Sequence, residues 1–163
     1  MGSNTSPLLA VLDIDGVVAD VRHRLHHIAK VPKDWDAFFA AATQDPLLDA
    51  GAQLAHELAS QYDVTYLTGR PERNRASTQA WLCAQALPEG PVIMRPDRDH
   101  RPARLFKRES VASLRRTHTI VVLVDDDPEV VELLRLDGIT TTLAEWQPYT
   151  DPMRAGQESD GRT

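Results

Sequence analysis

Two short apolar runs, residues 8–12 and 120–124, each end abruptly in aspartates: Asp13-Ile14-Asp15-Gly16 after the first, Asp125-Asp126-Asp127 after the second. A brief continuous apolar run bounded by polar residues is the pattern of a strand covered on both faces. Such strands belong to parallel sheets, whose two faces are shielded by crossover helices. The intervening sequence supplies those helices. Leu48, Ala52, Ala55, Leu58 and Ala59 form a helical stripe within residues 47–62, and residues 74–87 read as a helix stopped by Pro88. Residues 102–117 form a third, with Pro102 near its start, and residues 128–136 a fourth, ended by Asp137-Gly138. Strand patterns at 64–67, 92–94 and 139–143 alternate with them. This alternation predicts an α/β fold with a doubly wound, mainly parallel, Rossmann-like sheet.

The periodic pattern covers residues 8–147 and predicts one domain there, with flexible ends at 1–7 and 148–163. Its one sizeable insertion spans about 17–47, with a helix expected over 17–28 and a shorter one over 34–42. The 18 Lys and Arg against 24 Asp and Glu give a net charge of −6, which argues against a protein that coats nucleic acid or lies on an anionic membrane. A local basic patch is still compatible with it. The single cysteine, Cys83, excludes a disulfide framework and a Cys-rich zinc site, and fits a cytoplasmic setting. The apolar run at 120–124 is far too short to span a bilayer, so no membrane association is expected.

In doubly wound sheets ligands bind beyond the carboxyl ends of the strands. Asp13 and Asp15, Thr68-Gly69-Arg70, and Asp125 and Asp126 therefore share one edge. Carboxylates crowded there cannot all stay ionised unaided, and an all-oxygen ligand set favours Mg²⁺ over zinc. An EF-hand loop is excluded because Val17 and Val18 stand where it needs Asn or Asp and then Gly. Helix capping by an Asp pair is the plain alternative, against which the second acidic cluster weighs.

Other features remain open between function and packing. Arg95, Arg98, Arg101, Arg104, Lys107 and Arg108, with Arg70, Arg73 and Arg75, form either a positive ring around the site or a solvated helix face. His23, His26 and His27 share helical spacing without an acidic fourth ligand, which disfavours zinc. Trp35, Phe38 and Phe39 stack on a base or pack the insertion onto the core. Trp81 and Cys83 read as structural and His56 as solvent-facing.

Residues 8–18, Leu-Leu-Ala-Val-Leu-Asp-Ile-Asp-Gly-Val-Val, resemble the first motif of the haloacid dehalogenase (HAD) superfamily. Thr68 fits its second motif, Lys107 its third and Asp125-Asp126 its fourth, so the resemblance runs over about residues 8–145. Two-component receiver domains use similar residues, but there Lys comes last, whereas here the Asp pair follows Lys107. The resemblance implies a small helical cap in the 17–47 slot and a Mg²⁺-dependent phosphatase. In it Asp13 would be the nucleophile and Asp15 the acid and base. Thr68 would bind a phosphoryl oxygen, and Lys107 would neutralise developing charge. Mg²⁺ would sit on Asp13, the Asp15 carbonyl, Asp125 and Asp126.

Within the superfamily the chain resembles the phosphatase half of polynucleotide kinase-phosphatases, hydrolases of nucleic-acid end repair that remove 3′-phosphates. Arg24 lies eleven residues after Asp13, where that group carries an arginine. Thr68-Gly69-Arg70 matches its Ser/Thr-Gly-Arg motif, making Arg24, Gly69 and Arg70 candidate substrate contacts. Val124-Asp125-Asp126 and then Val130-Val131-Glu132 match its fourth motif and following helix. One departure is Ala103, four residues before Lys107, where the group usually has Asp. No G-x-x-x-x-G-K-[ST] occurs, so a kinase half is not expected in this chain. The implied substrate is a nucleic-acid 3′-phosphate end, with mononucleotides or other small phosphorylated metabolites as the alternative.

Overall fold

A computed structural model describes residues 6–163; most of the expected flexible start falls on residues 1–5, outside the described residues. In chain order the elements are β1 (Leu8–Leu12), α1 (Trp35–Ala40), α2 (Asp49–Ala59), β2 (Asp63–Pro71), α3 (Arg75–Ala84) and β3 (Val92–Arg95). Then follow α4 (Ala103–Leu114), β4 (Thr119–Asp125), α5 (Pro128–Leu136), β5 (Thr141–Leu143) and α6 (Asp151–Arg154). The sheet order is β3-β2-β1-β4-β5 and every pairing is parallel. This is the doubly wound, Rossmann-like α/β fold that the sequence pattern predicts.

Side-chain alternation along the strands divides the core between two faces. Ala10, Leu12, Val64 and Tyr66 pack under α2 and α3 with Ala55, Trp81 and Leu82. Leu9, Val11, Leu67 and Leu123 pack under α4 and α5 with Phe106, Val111, Val130 and Leu134. Each such aliphatic side chain contributes about 1.5–3 kcal/mol when fully buried, enough to pin the register. The register pairs Leu12 with Tyr66 on one side and with Val124 on the other. The chain winds from β1 toward β3 and then crosses to β4, so a crevice opens at the carboxyl ends of β1 and β4.

Two local expectations are corrected. The helix expected over 17–28 is only a 3₁₀ turn, Arg22–His27. Val17, Val18, Ala19 and Val21 are all fully buried, and Ala19 bridges to Asp15 and Leu47. A helix with one apolar stripe cannot bury consecutive residues all round, so this stretch folds as a turn about the Ile14 carbonyl. The expected tail at 148–163 instead folds back as α6 and a π-type turn, Ala155–Ser159. Met153 anchors it in a satellite core with Val21, Ile28, Phe38 and Phe39. Phe38 and Phe39 are thereby buried, so they pack the insertion rather than offer an exposed stacking surface. Among the described residues no helix is long and apolar enough to cross a membrane.

Candidate active site

Asp13 is the first residue beyond β1, and its N–H donates to the Val124 carbonyl at 2.9 Å, extending the ladder by one step. That places its carboxylate at the crevice beside Asp125, the last residue of β4. Lys107 reaches the same point from α4, its Nζ donating to Asp13 Oδ2 at 2.7 Å and Asp125 Oδ2 at 2.6 Å. Asp13 Oδ1 accepts from the Ile14 N–H at 2.7 Å, and Asp125 Oδ1 from the Asp127 N–H at 3.0 Å. Asp13, Asp125 and Asp126 each offer an oxygen within 4.8 Å of the others, the only such metal-capable group among the described residues. Asp127 does different work, capping α5 through the Glu129 N–H at 2.9 Å.

The turn after β1 depends on Gly16. Its φ is +76°, and a Cβ there would lie 2.1 Å from Asp126 Oδ2. The glycine thus permits both the left-handed conformation and the approach of Asp126 to the cluster.

Electrostatics separate the carboxylates. Burial pushes Asp13 up to about 7 despite Lys107, with Asp125 adding to the rise. Burial also raises Asp125, and raises Asp126 well above the usual range with help from Asp13 and Asp125. Lys107 opposes this: burial works against its charge, but Asp125 and Asp13 hold it firmly cationic. Fully ionised, three carboxylates would exceed the one ammonium, which is why burial favours their protonated forms, and the oxygen-only set fits a hard divalent cation.

Asp15 sits apart from that group. Arg70 donates to its Oδ1 through Nε at 3.0 Å and Nη2 at 2.6 Å, and Arg24 Nη2 adds a third bond at 2.8 Å. Burial resists its ionisation, but Arg24 and Arg70 outweigh this and hold it well below the usual carboxylate range. Both arginines also bind Asp45, whose carboxylate is fully buried. Thr68 is fully buried, its Oγ1 accepting from the Arg70 N–H at 3.2 Å, and the Gly69 carbonyl accepts from Arg95 Nε at 3.2 Å.

The structure thus gathers Asp13, Lys107, Asp125 and Asp126 into one cluster, and Asp15, Arg24 and Arg70 into an adjoining one, with Thr68 and Gly69 between Arg70 and Arg95. Ala103 is fully buried in the apolar core, and Lys107 is held by Asp13 and Asp125 instead of by a carboxylate at that position. Several other basic residues are spent on surface pairs: Arg75 with Glu72, Arg101 with Asp99 and Glu109, Arg108 with Asp137. His26 and His27 lie against each other at 3.9 Å, while His23 Nε2 bonds Asp45 Oδ1 at 2.7 Å. Trp81 is buried, whereas Cys83 and His56 are exposed.

Sequence reasoning missed Asp45 and the whole contribution of residues 149–163. Thr163 Oγ1 donates to Asp15 Oδ2 at 3.1 Å, and Gln157 Nε2 donates to Asp126 Oδ1 at 3.1 Å while its Oε1 accepts from the Tyr149 hydroxyl at 2.7 Å. Glu158 pairs with Arg104, and Asp160 with Lys33 of the insertion. These contacts lay a strap over the site. Beside it, a cavity of about 360 Å³ lined by Asp126, Gln147 and Tyr149 reaches the carboxylate cluster.

Residues 7–146 match the family described as the polynucleotide kinase PNKP phosphatase domain. The fold is similar to a chain of the Pnkp1/Rnl/Hen1 RNA repair complex, with a TM-score of 0.73 and 22% identity over 90% of this chain and 44% of that one. A second structure of the Pnkp1/Rnl/Hen1 complex gives 0.73 and 21% over 88% of this chain and 48% of that one. This chain therefore spans less than half the length of those it matches. The HAD-hydrolase YfnB from Bacillus subtilis, bound to magnesium, is similar at a TM-score of 0.60 and 9% identity, over 85% of this chain and 89% of that one. No curated protein sequence matches the chain.

Proposed function

The chain belongs to the polynucleotide kinase PNKP phosphatase domain family of HAD phosphatases, and from that premise we propose that it removes phosphate from the 3′ ends of nucleic acid through an aspartyl-phosphate on Asp13. The observation that carries the reading is the convergence of Asp13, Lys107 and Asp125 beside an Asp15 gripped by Arg24 and Arg70. The substrate class rests on the family and on the likeness to chains of an RNA repair complex.

In the first half-reaction an Asp13 oxygen attacks phosphorus in line. The Oδ–P bond forms as the bond from phosphorus to the leaving oxygen breaks. Lys107 neutralises charge on the transferring group, and Thr68 donates its hydroxyl to a phosphoryl oxygen. The leaving oxygen takes a proton from Asp15, which must first acquire one against its two arginines. In the second half-reaction Asp15 is well prepared: held ionised, it accepts a proton from water as that water attacks phosphorus and the bond to Asp13 breaks. Asp13, Asp125, Asp126 and the Asp15 carbonyl would hold Mg²⁺, which screens the anionic nucleophile from the anionic phosphate.

The test is phosphate release, with Mg²⁺, from 3′- and 5′-phosphorylated DNA and RNA oligonucleotides, mononucleotides and sugar phosphates. Asp13→Asn serves as the control. Preference for 3′-phosphorylated oligonucleotides is expected, and equal activity in Asp13→Asn would sink the covalent route. A second reading, action on mononucleotides or other small phosphorylated metabolites, is favoured by the enclosure of the site. Asp13 is 3% exposed and Asp15 2%, and the neighbouring cavity of about 360 Å³ falls at the small end of ligand pockets, about 300–1,000 Å³. Preference for a mononucleotide over every oligonucleotide would select it.

A further inference from the structure

We propose that Asp45 is a positioning residue of the phosphatase site, fixing Arg24 and Arg70 on Asp15 so that Arg24 Nη1 is presented as a free donor to the substrate's anionic oxygens. The inference rests on the phosphatase reading and deepens it.

Asp45 is embraced from three elements. Arg24, on the 3₁₀ turn of the insertion, grips it in a fork: Nε to Oδ1 at 2.7 Å and Nη2 to Oδ2 at 2.8 Å. Arg70, at the end of β2, adds Nη2 to Oδ2 at 2.9 Å. Trp81 of α3 donates its indole N–H to the Asp45 carbonyl at 2.9 Å, which fixes the backbone as well. Arg24, Arg70, Asp15 and Asp45 are all buried, so two cations face two anions with little water to rearrange them. A planar guanidinium bound in a fork keeps its orientation, so Asp45 sets where the remaining nitrogens of Arg24 point.

Covalent geometry shows where that is. Arg24 Nη2 spends one hydrogen on Asp45, along the edge it shares with Nε, and the other on Asp15 Oδ1 at 2.8 Å. The second hydrogen lies on the edge shared with Nη1, so that edge faces Asp15. Nη1 itself is buried and has no hydrogen-bond partner. Buried donors are seldom left unpaired in a native structure, and an orphan beside the proposed acid and base marks the place of an absent acceptor. An oxygen of the phosphomonoester entering beside Asp15 meets that description. Asp45 never touches the substrate in this arrangement; it acts through Arg24 and Arg70.

The test measures kcat and KM of the full chain with Mg²⁺ on p-nitrophenyl phosphate and on a 3′-phosphorylated oligonucleotide. Asp45→Asn is expected to lower kcat on the order of 10²-fold, the scale of a misplacement of about 1 Å, while KM changes much less. In the Arg24→Ala background the same substitution should cost about tenfold less than it does alone, because its target is gone. A folded Asp45→Asn with wild-type kcat overturns the proposal, as does a double variant whose loss is the product of the single losses. If Asp45→Asn does not fold, Asp45→Glu decides. It keeps the charge but moves the anchor by one methylene, and full kcat in that folded variant also overturns the proposal. A wild type active only on p-nitrophenyl phosphate refutes the nucleic-acid reading alone, since the Asp45 comparison stands on that substrate. A wild type inactive on both overturns the two together.

Discussion

Replacing Lys107 by Met removes the one cation that bridges Asp13 and Asp125 and leaves the side-chain volume nearly unchanged. Lys107 is 1% exposed and its Nζ lies 2.7 and 2.6 Å from the two carboxylates. Breaking a buried pair by removing one partner costs about 3–5 kcal/mol, because the remaining charge has no compensation. The similar bulk of Met keeps the cavity contribution small. For a chain of this size each kcal/mol moves the melting temperature by about 2–4 °C, so a fall of about 6–20 °C is expected in chelator. Magnesium at about 100 times its dissociation constant should return about 2.7 kcal/mol. It should stabilise the variant more than the wild type, because no ammonium then competes for the same oxygens. Phosphate release should fall by about 10²–10³-fold, the scale of losing one pre-positioned charge on the transferring group. The assay is thermal unfolding with chelator and with Mg²⁺, paired with turnover. A variant melting within about 2 °C of wild type in chelator would refute the electrostatic argument.

Gly69→Ala would place a Cβ 2.0 Å from the Thr163 carbonyl carbon, so it should displace the strap and raise hydrogen exchange across residues 156–163 by about tenfold or more; unchanged exchange would contradict the close contact. Asp126→Asn should weaken magnesium binding by roughly 10–100-fold, measured by titration with melting temperature as the readout, and equal affinity would remove Asp126 from the metal set. Burial pushes the Tyr66 phenol up to about 12. Its folded-state value is raised, so the associated stability is complete below about pH 10 and is lost between about 10 and 12 as the unfolded chain ionises first. The phenol is buried, with its hydroxyl donating to the Pro88 carbonyl at 2.9 Å, and a rise of this size corresponds to a loss of at most about 2–3 kcal/mol, visible as a steeper alkaline decline of the urea midpoint in wild type than in Tyr66→Phe.

The strands were readable because burial on both faces writes itself as continuous apolar sequence, and the helix ends because Pro88, Pro128 and Gly138 punctuate them. Asp13 and Asp125 were readable for a related reason: a polar residue directly after a buried strand has only the sheet edge to occupy. Asp45 had no such marker. It sits between Gln44 and Pro46 in a stretch that reads as an ordinary turn, and its partners are fixed by tertiary packing. The strap was invisible because one apolar residue, Met153, anchors it and polar contacts do the rest, whereas periodicity registers only apolar burial. The turn at 17–21 misled in the opposite sense: apart from Asp20 its residues are apolar, but buried all round rather than along a stripe.

The separation of partners along the chain governs when the site comes into being. Asp13 meets Lys107 across 94 positions and Asp15 meets Thr163 across 148. Contacts of such long range close late, because loop entropy must be lost before they form. Asp13 therefore stays uncompensated until α4 delivers Lys107 and β4 pairs with β1, whereas Asp15 has Arg24 only nine positions away. In refolding, helix content should recover before turnover, so enzymatic activity reports completion of the tertiary structure rather than its onset.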